Sequence, residues 1–314
     1  MTVLLAVDSY ILPHREVHMS SEAQALTKEP VARLMRGALA ALAVLVIARL
    51  LLELAGLPHH LTRYVSSNVG LLMVAIYVAA VGPLYGGLCK FSQLMLPALI
   101  LAAWTGACII LVTTLAAVLH LARSHFAEPE DFGNWGHLGR HVLGHTVETG
   151  VLFLIVLLLM TIVHILWRWP ITVGPGAMLG VFVIMRYWTE AMELPPVRTA
   201  AWGSTLLVFL SAFYLGGVGT RMGLTGARQL LVPALVLGWV WRAWVYLATV
   251  FAALVPFFAT HFFDRTHGDV PLRLLRALGA GVIEGLIVGL LVWGIAVWIA
   301  GAAQSRRDSA AGSN

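Results

Sequence analysis

The sequence predicts an all-α, polytopic integral membrane protein of about eight transmembrane helices, built as a tandem duplication of a four-helix unit. Three observations carry this expectation. The 314-residue chain is 60% hydrophobic and only 11% charged, whereas soluble domains are about 25% charged. Its apolar runs last about 20 residues without strict alternation, the pattern of helices crossing a hydrocarbon core of about 30 Å. Residues 94–166 also lie over residues 230–302 without a gap.

Taken in order, residues 1–29 read as a polar arm, with Glu29-Pro30 suited to open a helix. Met1 to Leu12 is apolar but carries Asp8 and no basic leader, a poor signal peptide, and Met19 offers a second start. The expected spans are Gly37 to Leu57, Val69 to Leu84, Leu94 to Leu119, and Val147 to Trp167. The long polar connection, 120–146, holds Pro129, the acids Glu128, Glu130 and Asp131, and a run of histidines. The pattern then restarts after Arg168-Trp169-Pro170, with spans at Val173 to Glu190, Ala201 to Gly219, Leu230 to Phe258 and Ala277 to Gly301. Residues 303–314 read as a small, polar, disordered tail.

The repeat rests on polar residues as well as apolar ones. At a constant offset of 136, Pro97 falls on Pro233, His125 on His261, Arg140 on Arg276 and Glu148 on Glu284. Earlier in each half the offset is 137: Arg49, Glu53 and Pro58 fall on Arg186, Glu190 and Pro195, and Thr62 on Thr199. The units are therefore expected at 30–166 and 167–302. Four crossings return the chain to its starting side, so the copies form a parallel repeat with a pseudo-two-fold axis along the membrane normal. Lys and Arg favour the face shared by the two termini, ten against seven, which puts both termini in the cytoplasm of a cell-membrane protein.

The net charge of +5 does not imply nucleic acid, because the basic residues are scattered over short loops. Cys89 and Cys108 form neither a CxxC pair nor a disulfide framework. There is no Walker loop and no GxSxG.

Ionisable groups inside spans cost about 2.5–3.5 kcal/mol each by insertion scales, so each asks for a reason. Arg49 and Glu53 are one turn apart and can pair. With His125 and Glu148 they form one expected polar cluster toward the outer face; Arg186, Glu190, His261 and Glu284 form its second copy. Each cluster can line a solute path, bind a ligand or pin helices together. Arg242 stands mid-span among Trp239, Trp241 and Trp244, where it needs a carboxylate, a carbonyl or a wet cavity. His137, His141 and His145 share a helix face. His141, His145 and Glu148 are a zinc-type ligand set at i, i+4 and i+7, but the second copy keeps Glu284 while replacing both histidines with Ala277 and Gly281. No cofactor is expected, zinc and a bis-histidine haem through His120 or His164 being the alternatives to that absence; no CxxCH supports the haem.

The function expected from these features is transport or a channel-like role, with the polar clusters as candidate sites. A structural or accessory subunit of a larger complex, or a metal-dependent membrane enzyme, are the alternatives. The expected partners are the lipid bilayer and a second copy or other membrane subunits, not nucleic acid.

Overall fold

A computed structural model describes residues 21–255, 260–263 and 269–311. The described residues are helical, with no strand. Eight helices are long and apolar enough to cross a membrane. They are α1 (Ser21–Leu54), α2 (Ser67–Val81), α3 (Met95–Val118), α4 (Trp135–Leu166), α5 (Val173–Ala191), α6 (Ser204–Arg221), α7 (Ala227–Leu254) and α8 (Val270–Ala311). Short helices at His59–Thr62 and Pro196–Ala200 precede α2 and α6. The chain falls into two compact units, Met1–His164 and Ile165–Asn314. The sequence readings for residues 1–20, for Phe258 as the end of the seventh span, and for 312–314 lie outside the described residues.

Several helices overrun the spans expected from hydropathy. Helix α4 begins at Trp135, well inside the polar connection, because Asn134 caps it: the His137 N–H donates to Asn134 Oδ1 at 3.1 Å. Residues 21–29 of the expected arm are already helical as part of α1, and α8 is helical over residues 303–311, where the sequence reading places a disordered tail. The common cause is that hydropathy marks where lipid begins, whereas a helix ends where its backbone hydrogen bonds end. The 32 residues of α4 span about 48 Å, well beyond a hydrocarbon core of about 30 Å. Its histidine-bearing first turns are the polar end of that length.

In the first unit α1, α2 and α3 pack on one another. Val46 of α1, Ile109, Val112 and Ala116 of α3, Phe126 and Ala127 of the connection, and Leu138 of α4 form a buried cluster. The Trp104 indole of α3 donates to the Leu39 carbonyl of α1 at 2.9 Å. In the second unit α7 is the central post. Its Trp241 donates to Ser204 Oγ of α6 at 3.0 Å, and its Trp244, 1% exposed, donates to the Gly176 carbonyl of α5 at 2.9 Å. An indole brings a large apolar body and one N–H that must find an acceptor when buried, so each of these bonds fixes a helix rotation as well as a contact.

Close approach of α7 and α8 needs glycine. A Cβ at Gly238 would lie 2.2 Å from the Gly285 carbonyl oxygen and 2.7 Å from the Gly289 nitrogen. Gly281, Gly285 and Gly289 form a small-residue ridge at four-residue spacing on α8, the device by which helices meet backbone to backbone in lipid.

Candidate functional site

The first polar cluster closes around Glu53, in the last turn of α1. This residue is 3% exposed. Its carboxylate accepts from Arg49 Nε at 3.4 Å, Thr62 Oγ1 at 3.2 Å and the His125 backbone N–H at 3.0 Å. The His125 ring lies 2.7 and 2.8 Å from the two oxygens through Nδ1. A carboxylate can only accept, so Nδ1 carries the proton. The His125 ring packs on Phe126 at 4.1 Å, and Phe126 in turn lies under the Arg49 guanidinium at 5.8 Å. One carboxylate thus ties α1, the short helix after it, and the connection after α3.

The second unit builds the same group on α5. Glu190 accepts from Arg186 Nε at 3.1 Å and from the His261 N–H at 3.0 Å, and meets His261 Nδ1 as well. His261 packs on Phe262 at 4.0 Å. This group is more open: the Glu190 side chain is 13% exposed, against 2% for Glu53.

Glu148 and Glu284 do not join these groups, so each expected cluster of four divides into a trio and a separate carboxylate. Glu148 accepts from Asn68 Nδ2 at 2.7 Å, across to the first turn of α2, and from His145 Nδ1 at 3.1 Å on its own helix. Glu284 pairs with Arg242 Nη1 at 3.0 Å, which supplies the carboxylate that a mid-span arginine demands. Arg242 also lies 5.2 Å from the Trp241 ring. The reason for the division is geometric. Glu148 is beside the start of α2, whereas Glu53 is capped by the segment leading into it.

In the 136-residue overlay Arg242 stands where the first unit has Gly106, and Gly281 where it has His145. The contacts explain the exchange. A Cβ at Gly106 would lie 2.1 Å from Thr149 Oγ1, so no long side chain fits there. A Cβ at Gly281 would lie 3.5 Å from Arg242 Nε, an ordinary contact beside the guanidinium. Each carboxylate has a nitrogen partner, the His145 ring of its own helix for Glu148 and the Arg242 guanidinium of the neighbouring helix for Glu284.

The histidines of α4 are organised by a residue that the sequence reading left in the acidic connection. Asp131, 2% exposed, receives His137 Nδ1 on one oxygen at 2.7 Å and His141 Nδ1 on the other at 2.8 Å. It also accepts the Glu128 N–H at 2.8 Å. Burial pushes the Asp131 carboxyl up, but the hydrogen bonds from His137, His141 and Glu128 outweigh it and bring it down to about 2. The His141 and His145 rings stack at 4.9 Å with 29° between their planes. Asp131, His141, His145, Glu148 and Asn68 therefore form a continuous polar column, with His137 as a branch. At its head a cleft of about 210 Å³ is lined by His120, Asp131, Asn134 and Trp135, among others.

The expected zinc set of His141, His145 and Glu148 is not gathered around one point. Glu148 holds the Nδ1 of His145, and among the described residues no three or more His, Cys, Asp or Glu side chains are grouped as ligands of one ion. His120 stacks edge-on against Phe132 at 5.3 Å. The sequence reading missed Asn68, Asp131 as a histidine partner, and the α7–α8 glycine contact. Only the last had a local signal, the four-residue glycine spacing. No protein-family model, curated protein sequence or solved structure matches the chain.

Proposed function

We propose that the chain is a transporter or channel-like protein of the cell membrane, whose ion-handling site is the histidine–carboxylate column of the first unit. The observation that carries this reading is the column itself. Titratable groups linked by hydrogen bonds and ring stacking run from Asp131 to Glu148, and His137 to Glu148 covers about 16 Å of helix. Ionisable groups within or at the mouth of membrane helices commonly mark ion or solute paths. Beside Glu148 the Asn68 Oδ1 is buried and has no hydrogen-bond partner among the described residues, a polar atom that a bound water or cation would satisfy. The two Glu–Arg–His trios tie helix ends to connecting segments and serve as architectural pins.

The same proposal includes the origin and placement of the chain. Two copies of one four-helix unit, fused in parallel, account for the matched trios on Glu53 and Glu190 and for the constant sequence offset. The excess of Lys and Arg on one side supports cytoplasmic termini. A second reading, an accessory subunit of a larger complex, is favoured by the complete pairing of Glu53, Glu148, Glu190 and Glu284.

Reconstitution into sealed vesicles with interior dyes for protons and for zinc tests the choice. The transport reading expects flux above protein-free vesicles and at least tenfold less with Glu148→Gln. Equal flux with and without protein for both ions overturns it in favour of the accessory role.

A further inference from the structure

The histidine face of α4 carries a chemistry that the transport reading alone does not specify. His137, His141 and His145 each spend Nδ1 on a carboxylate. Fixing the proton on Nδ1 leaves the Nε2 lone pair of every ring as a donor, and none of the three Nε2 atoms has a hydrogen-bond partner among the described residues. The rings are reachable, with side chains 27, 22 and 21% exposed. A purely structural polar face has no need for a buried aspartate to grip two rings at once. An outer carboxylate on Nδ1 is, however, how metal-binding histidines are held: it sets the tautomer, aims the ring and raises its basicity.

The geometry points to a divalent transition-metal site of zinc, nickel or copper class, ligated by Nε2 of His141 and His145, with Asp131 and Glu148 as the outer carboxylates. Imidazole donors select this class over magnesium or calcium. Two imidazoles on one tetrahedral zinc place their nitrogens about 3.3 Å apart, given Zn–N bonds of about 2.0–2.1 Å. Rings stacked at 4.9 Å and inclined by 29° meet that spacing by closing at their Nε2 ends while pivoting on the Nδ1 bonds. Water completes the coordination, since no third protein ligand is grouped there among the described residues. His137, one turn earlier on the same aspartate, flanks the site. The second unit provides an internal control: Arg273, Ala277 and Gly281 stand at the three histidine positions, so one ion is bound per chain, not two.

This inference takes its location from the transport reading, but binding is measured without flux, so the two fail separately. The experiment is calorimetric titration of zinc into the full chain, purified in detergent and stripped with chelator. One ion per chain is expected. His141→Ala and His145→Ala should each weaken binding at least tenfold. Asp131→Asn, which removes an outer carboxylate and no ligand, should weaken it about 10–100-fold. His261→Ala, a histidine of the Glu190 trio, should leave it within twofold. Circular dichroism and the zinc response of His141→Gln guard against a misfolded alanine variant. Absence of saturable zinc binding, binding unchanged in the His141→Ala/His145→Ala double variant, or two equal ions per chain would each overturn the site. Flux without binding leaves transport standing and removes the metal; binding without flux does the reverse.

Discussion

Glu53→Gln is the sharpest test of the architectural trio. The substitution keeps shape and volume but removes the charge and one of the two acceptor oxygens. The contacts of Glu53 include Arg49, Thr62, the His125 N–H and the His125 ring, in a side chain 2% exposed. A glutamine oxygen serves at most two of these donors, and its NH2 is turned toward the others. Breaking a buried charged network by removing one partner costs about 3–5 kcal/mol, and that range is expected here. Glu190→Gln should cost less, about 1–2 kcal/mol, because its carboxylate is 13% exposed and His261 is 45% exposed against 28% for His125. Water can take over part of the lost bonding. The assay is equilibrium unfolding in mixed detergent micelles, read by tryptophan fluorescence, with the exposed Glu193→Gln as the neutral control. A loss below about 1 kcal/mol for Glu53→Gln, or an equal loss for the two variants, refutes the reasoning that burial sets the worth of the trio.

Two further outcomes follow from packing and charge. Gly238→Ala gains about 1 kcal/mol of helix propensity but drives a methyl into the Gly285 carbonyl, 2.2 Å away; a net loss of about 1–3 kcal/mol is expected in the same unfolding assay. Gly217→Ala, with nothing within 4 Å of the new Cβ, should be neutral or stabilising, and equal losses at the two glycines would sink the close-contact account. The Asp131 carboxyl is held near 2 in the fold against an ordinary 3.8. A depressed carboxyl stabilises above its unfolded value, so this contribution is complete above about pH 4 and is lost as pH falls toward 2. It amounts to about 2–3 kcal/mol. The thermal midpoint should therefore drop between pH 4 and pH 2 more in the native chain than in Asp131→Asn, and matching acid profiles would contradict it.

What the sequence made legible was the solvent of each segment, and with it the helical class and the crossings. It also showed local pairs: Arg49 with Glu53 and Arg186 with Glu190 follow from four-residue spacing on a helix. Helix ends were less legible, because Trp135 to Thr146 is polar enough to resemble a loop and yet is capped and helical. The partners of Glu148 were hidden for a different reason. Asn68 is 80 residues away, and no local pattern announces which helix start will lie beside a given carboxylate. The grip of Asp131 on two histidines depends on the tight turn at Pro129–Asp131 and on the entry angle of α4. The matched spacings led to the expectation of His125 near Glu53 and His261 near Glu190, where the rings lie, but they offered no means of separating Glu148 and Glu284 from those groups.

The exchange at the third and fourth helices of each unit has a consequence for how the chain can vary. Arg242 pairs with Glu284, while His145 pairs with Glu148 in a unit whose Gly106 leaves no room for a long side chain. Changing either member of a pair alone leaves its partner without that contact, so the two positions are coupled and their effects do not add. Glu148 and Glu284 are thereby held by unlike means, an imidazole from the same helix in one unit and a guanidinium from the neighbouring helix in the other, and neither arrangement can be reached from the other by a single substitution.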